Sequence, residues 1–143
     1  MIGNIQFHKI KNTALCYILN YAVVALRVYS GTPPATANSY TASAYTGSLL
    51  ITYSLVVNSF TFNASNTAQT YMSTFPAPVA ASASGTASWF CLDCTATALA
   101  GNYPFLIDGI TDYTGNGTLK LTTTSIVSGT AYDIYSLAFE FKQ

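Results

Sequence analysis

The stretch SLLITYSLVVNSFTF, residues 48 to 62, constrains the fold more than any other. Its side chains alternate with period two. Leu49, Ile51, Tyr53, Leu55 and Val57 fall on one face; Leu50, Thr52, Ser54 and Val56 fall on the other. This is the pattern of a strand half-buried against a second layer. The C-terminal stretch AYDIYSLAFEFKQ repeats it. Tyr135, Leu137, Phe139 and Phe141 are expected on one face, with Ser136, Ala138, Glu140 and Lys142 on a wet face.

The chain between these runs also reads as strands and turns. VALRVYS, TASWFCL, YPFLIDG and TLKLTTTSI are strand-like, and a short strand is expected around Thr70 to Phe75. Pro33-Pro34 opens a loop, and Pro76 and Pro78 confine the strand before them to an edge or an end. Asp108-Gly109 is expected to stop one strand, ITDYTGNG reads as turn chemistry, and VSGT is a tight turn. DCTATALAGN reads as a turn or inserted loop. No helix of useful length is expected after the N-terminal run. Seven or eight short strands predict an all-β fold, an antiparallel β-sandwich or jelly-roll-like domain.

At 143 residues the chain suits one domain. Residues 23–143 form the expected β-domain, and residues 1–22 an extended N-terminal arm. In that arm Lys9 and Lys11 precede an uncharged run from Thr13 to Leu26, which has the outline of a secretory signal. Asn20, Tyr17 and Tyr21 interrupt the run, and no small-x-small cleavage site ends it. It is also short of the ~20 apolar residues that span a bilayer. We therefore read it as retained.

Charge narrows the function classes. Five basic and five acidic residues make up 7% of the chain, where roughly 25% is usual. Lys9, Lys11, Arg27, Lys120 and Lys142 are too few for a basic patch, so nucleic acid is not an expected partner. A surface this poor in charge is weakly protected against association and suits burial against other subunits. Eleven tyrosines and eight phenylalanines supply interface anchors or core.

Reactive residues form no strong constellation. Cys91 and Cys94 make a CxxC, but a structural zinc site needs four ligands, and only His8 and Cys16 remain to complete it. In an extended chain the two thiols point to opposite faces. No helix N-terminus is expected there to lower a thiol pKa. We read them as buried or incidental thiols where a strand ends, with a disulfide between them left open. Asp108, Asp112 and Asn116 have oxygen ligands suited to calcium but not the regular spacing or the bidentate Glu of a calcium loop. Asp before Gly is more simply a turn residue. His8 has no recognisable catalytic companion, and phosphate-loop, dinucleotide and HExxH motifs are absent. No cofactor and no enzymatic activity are expected. Asn63-Ala64-Ser65 and Asn116-Gly117-Thr118 fit the glycosylation acceptor pattern, which also arises by chance. Trp89 is expected in the core, with Phe90 on the opposite face.

The order ALRVYSGTPPAT, GSLLITYSLV, ASGTASWFCLD, FLIDGITDYTGNGTLKLTTTSIVSGT and DIYSLAFEF resembles a family of small β-rich structural proteins of tailed bacteriophages and prophages. The likeness covers roughly residues 25 to 141. It departs at the arm, at FNASNTAQTYMSTFPAPV and at Cys91. The resemblance implies a non-enzymatic virion component, a capsid decoration or cement protein made in the host bacterial cytoplasm and carried on the capsid surface. Its implied partner is the major capsid protein, with this chain a trimer or dimer on the shell and no membrane involved. Ile5, Phe7, Ile10, Tyr17 and Tyr21 of the arm, with Tyr40 and Tyr45 of the first loop, are the expected interaction residues. The alternative is a tail- or fibre-associated β-module that binds host-surface glycans through tyrosines and Trp89.

Overall fold

The computed structural model describes residues 20, 23–33, 47–63, 69–94, 103–112, 114–115 and 117–140. Twelve strands lie among them: β1 (Val23–Tyr29), β2 (Leu49–Ser54), β3 (Phe60–Asn63), β4 (Gln69–Met72), β5 (Val79–Ala80), β6 (Gly85–Thr86), β7 (Trp89–Cys94), β8 (Tyr103–Asp112), β9 (Leu119–Leu121), β10 (Ser125–Ile126), β11 (Ala131–Tyr132) and β12 (Ile134–Glu140). Eight of them form one sheet in the order β2-β1-β7-β8-β9-β12-β4-β3. The fold is all-β and sandwich-like.

Chain length forces this sheet to curl. β2 and β3 are its two terminal strands, yet five residues, Leu55 to Ser59, join them. Six residue steps reach at most about 22 Å. Eight flat strands would place the edges about 34 Å apart. Bulges supply curvature. The ladder registers skip Val24 in β1, Leu50 in β2, Phe105 in β8 and Tyr135 in β12.

These bulges correct the expected alternation. The extra residue at Leu50 lets Leu50 and Ile51 both face the core, while Leu49 is partly exposed. The extra residue at Tyr135 lets Ile134 and Leu137 both turn inward, so Tyr135 is exposed instead of sharing the face of Leu137 and Phe139. β2 ends at Ser54, so Val57 lies in a turn and not on the buried face. Phe141 and Lys142 lie outside the described residues.

Two further expectations change. Asp108-Gly109 does not stop a strand, because β8 runs on to Asp112 between β7 and β9. A Cβ at Gly109 would meet nothing within 4 Å, so the glycine here is not required by close packing. The sheet is also not wholly antiparallel. β8 and β9 pair in parallel, Ile110 opposite Leu119, through a six-residue return. Asp112 closes the start of that return: its Oδ1 accepts from the Thr114 hydroxyl (2.6 Å), the Thr114 amide (3.0 Å) and the Gly115 amide (3.2 Å).

The second layer is a ribbon. β5 pairs with β11 and β6 with β10, and both short ladders keep one register, Ala80 opposite Ala131 and Gly85 opposite Ile126. Residues 79–87 and 124–132 are therefore one antiparallel ribbon opened in the middle. Ala81 and Thr130 still bond across the opening (2.9 Å), and the Ser128 amide donates to Ser84 Oγ (2.8 Å). Ala81, Ala87, Ile126 and Tyr132 of the ribbon join Leu26, Val28, Leu50, Ile51, Phe90, Leu92, Leu119, Leu121 and Leu137 of the sheet in the main core. Tyr53 ties the layers, its hydroxyl donating to the Tyr132 carbonyl (3.0 Å).

Candidate interaction surface

β7 ends at the second cysteine of the CxxC, as expected, with Cys91 inside the strand. It runs through Cys94 and pairs on both sides, Cys94 opposite Val23 of β1 and opposite Tyr103 of β8. Cys91 is fully buried and is not in a disulfide, which answers the open question of a bridge to Cys94. Among the described residues no three His, Cys, Asp or Glu side chains are grouped to hold a metal ion. The exposed Asp112 carboxylate is held below the usual range, first by the Thr114 hydroxyl and then by the turn amides. It is thus occupied with its own turn; Asn116 and His8 lie outside the described residues. Among those residues no helix is long and apolar enough to cross a membrane.

Trp89 and Phe90 take opposite faces, as expected. Phe90 is in the main core. Trp89 forms a second buried cluster with Tyr29 and Cys91 on the other side of the sheet. The Tyr29 and Trp89 rings stack with centroids 4.3 Å apart and planes 10° from parallel. The indole Nε1 donates to the Ser30 carbonyl (3.1 Å). A fully buried indole offers no ring face to a sugar, which removes Trp89 from the glycan-binding alternative.

That indole also braces the base of the first loop. The Ser30 amide donates to the Ser48 carbonyl (3.0 Å), and the Ser48 amide donates to Ser30 Oγ (3.0 Å). Gly47, at φ +119°, passes so close that a Cβ there would lie 1.9 Å from the Ser30 carbonyl oxygen. The loop therefore leaves the sheet through a tight hydrogen-bonded neck. Tyr40 and Tyr45 belong to it but lie outside the described residues, as do Ile5, Phe7, Ile10, Tyr17 and Tyr21.

The surface that can be described is apolar at several connections. Val56 and Val57, 64% and 67% exposed, occupy the turn between β2 and β3. Asn58 completes that turn at φ +63°, a conformation Asn tolerates well. Phe75 stands exposed before Pro76, Val127 at the opening of the ribbon and Tyr135 on the β12 bulge. None of these is among the interaction residues expected from the sequence. The signal for Val57 was its place before Asn58-Ser59, a turn pair; the signal for Phe75 was the proline after it.

Of the expected arm, Asn20 is the one described residue. Its side chain docks on β3, with Nδ2 donating to the Phe60 carbonyl (2.9 Å) and Oδ1 accepting from the Phe60 amide (2.8 Å). No family model matches the chain, and neither does any curated protein or solved structure.

Proposed function

We propose that the chain is a non-enzymatic structural protein of a bacteriophage particle, a decoration or cement protein that binds the shell of the major capsid protein. The observation that carries the reading is the order of its motifs. ALRVYSG, GSLLITYS, GTASWF, the IDG segment, LKLTTTSIVSGT and DIYSLAFE supply β1, β2, β6–β7, β8, β9–β10 and β12. The family-like residues thus supply six of the eight sheet strands and β6 and β10 of the ribbon, as suits a chain whose task is to be a rigid part.

The surface supports an assembly role. Ten charged residues in 143 leave little to oppose association. Val56, Val57, Phe75, Val127 and Tyr135 offer apolar area for a partner to cover. A stable interface buries about 1,200–2,000 Å² in total, which these residues share with the arm and the first loop.

Quantitative mass spectrometry of purified particles tests the reading. The expected result is a fixed copy number in simple ratio to the major capsid protein. A trace amount that varies between preparations would contradict it.

A further inference from the structure

Charge divides the molecule into two sides. From Val28 to Leu92 the chain carries no Lys, Arg, His, Asp or Glu. That span supplies β2 to β6 and most of β7. In the sheet, β7, β1 and β2 stand at one end of the strand order and β4 and β3 at the other, and the short β2–β3 connection brings those ends together. Among the described residues, Arg27 and Asp93 border the uncharged span. The remaining charges follow it: Asp108 and Asp112 on β8, Lys120 on β9, Asp133 just before β12 and Glu140 on β12.

On the uncharged side, apolar side chains stand on a hydrogen-bonded base. Buried Ser59 joins the β2–β3 turn to the chain that leaves β4. Its hydroxyl donates to the Val56 carbonyl (2.6 Å), and its carbonyl accepts from the Ser73 and Thr74 amides (2.8 and 3.2 Å). Val56 and Val57 therefore share one end of the molecule with Phe75, which is 45% exposed. Ala77 and Pro78, also exposed, follow it. We propose that this end, centred on Val56, Val57 and Phe75, is the surface on which two copies of the chain meet about a two-fold axis.

The occupant follows from charge and area. The core of an interface is poor in charge and rich in aromatic contact. A charged group brought against this end would lose its water and find no counter-charge. The matching surface is therefore itself uncharged and apolar, and a second copy presents one by symmetry. Copies that met on β8, β9 and β12 would instead bring together Asp108, Asp112, Asp133 and Glu140, which outnumber Lys120 there among the described residues. Area sets the strength. The largest apolar patch of a monomer is about 300–600 Å². Two such patches bury roughly 600–1,200 Å² in total, short of the standard stable interface. The contact is thus a weak, reversible dimer that high concentration fills. This inference does not depend on the capsid reading.

The test is sedimentation velocity on the full chain over a hundredfold concentration range that reaches the millimolar. The unaltered protein is expected to pass reversibly from monomer to dimer. Val57→Lys and Phe75→Lys should each weaken the dimer at least tenfold, whereas Val127→Lys, at the ribbon opening, should leave it unchanged. Added salt should not weaken it, because no ion pair is involved. A monomer throughout the range would overturn the proposal and leave this end to the chain's own arm or to a foreign partner. So would a trimer, a dimer that salt dissolves, or one that both lysine variants leave intact. Hydrogen exchange on the unaltered protein needs no variant to fold: residues 57–59 and 73–75 should exchange more slowly in the concentrated sample, and equal exchange would also overturn the proposal.

Discussion

Two glycines at positive φ separate backbone strain from steric exclusion. Gly47 has both, because a Cβ would collide with the Ser30 carbonyl that also receives the Trp89 indole. Gly129, at φ +82°, has nothing within 4 Å of the Cβ site and carries strain alone. Gly129→Ala should cost about 1–2 kcal/mol, and Gly47→Ala about 4 kcal/mol or more. Urea unfolding of the two variants checks this; equal losses would mean that the neck of the first loop yields. Tyr53 gives a second test. Burial, and then the negative charge of Asp133, push its phenol well above the ordinary value. A raised folded pKa gives stability that is complete below the unfolded value and falls as pH rises past it. Alkaline unfolding should therefore begin from about pH 10 upward. Tyr53→Phe should flatten that slope while costing about 1–2 kcal/mol at neutral pH through loss of the hydrogen bond to the Tyr132 carbonyl. An unchanged alkaline slope would remove Tyr53 from the account.

At the scale of elements, strand existence was legible and strand register was not. Local composition marked β1, β2, β7, β9 and β12, because β-branched and aromatic runs carry their own signal. Bulges depend on the partner strand as much as on their own. Nothing around Leu50 or Tyr135 signals an extra residue until Tyr29 and Val28, or Lys120 and Leu121, lie opposite. The same reason hid the length of β7 and β8. Asp93 and Asp108-Gly109 look like stops in isolation, but Asp93 has partners in β1 and β8, and Asp108-Gly109 pairs with β7 just before β9 joins at Ile110. The bulge makes an unequal prediction for two residues that simple alternation treats alike. Tyr135→Ser should change stability by less than about 0.5 kcal/mol. Leu137→Ala should cost about 2–5 kcal/mol. Thermal or urea melts of the pair decide it, and a large loss at Tyr135 would restore the unbroken alternation. The second layer was legible only as the need for one. That residues 79–87 and 124–132 keep a single register across an opening is a long-range property, and each short ladder alone reads as a loop.

At the scale of the molecule, the curled sheet and its ribbon make a rigid body in which the reactive groups among the described residues are inside or already engaged. Cys91 and Trp89 are buried, and Asp112 serves its turn. The sequence marked this well for Trp89, an aromatic within a strand, and poorly for Cys91, whose CxxC spacing does not signal its burial within the strand. The expected interaction residues were chosen from the arm and the first loop, whereas the described surface adds the β2–β3 turn, Phe75 and the ribbon opening. Those sites were hidden because exposure depends on where the strands end. A rigid, charge-poor part with apolar connections suits permanent attachment to a larger shell. The direct measurement is a cryo-EM map of the intact particle at side-chain resolution. The account predicts density on the outer capsid surface that fits the sheet and ribbon, with the stacked Tyr29 and Trp89 rings inside it and the arm or exposed connections against the major capsid protein. A shell fully explained by other chains, with this one absent, would contradict it.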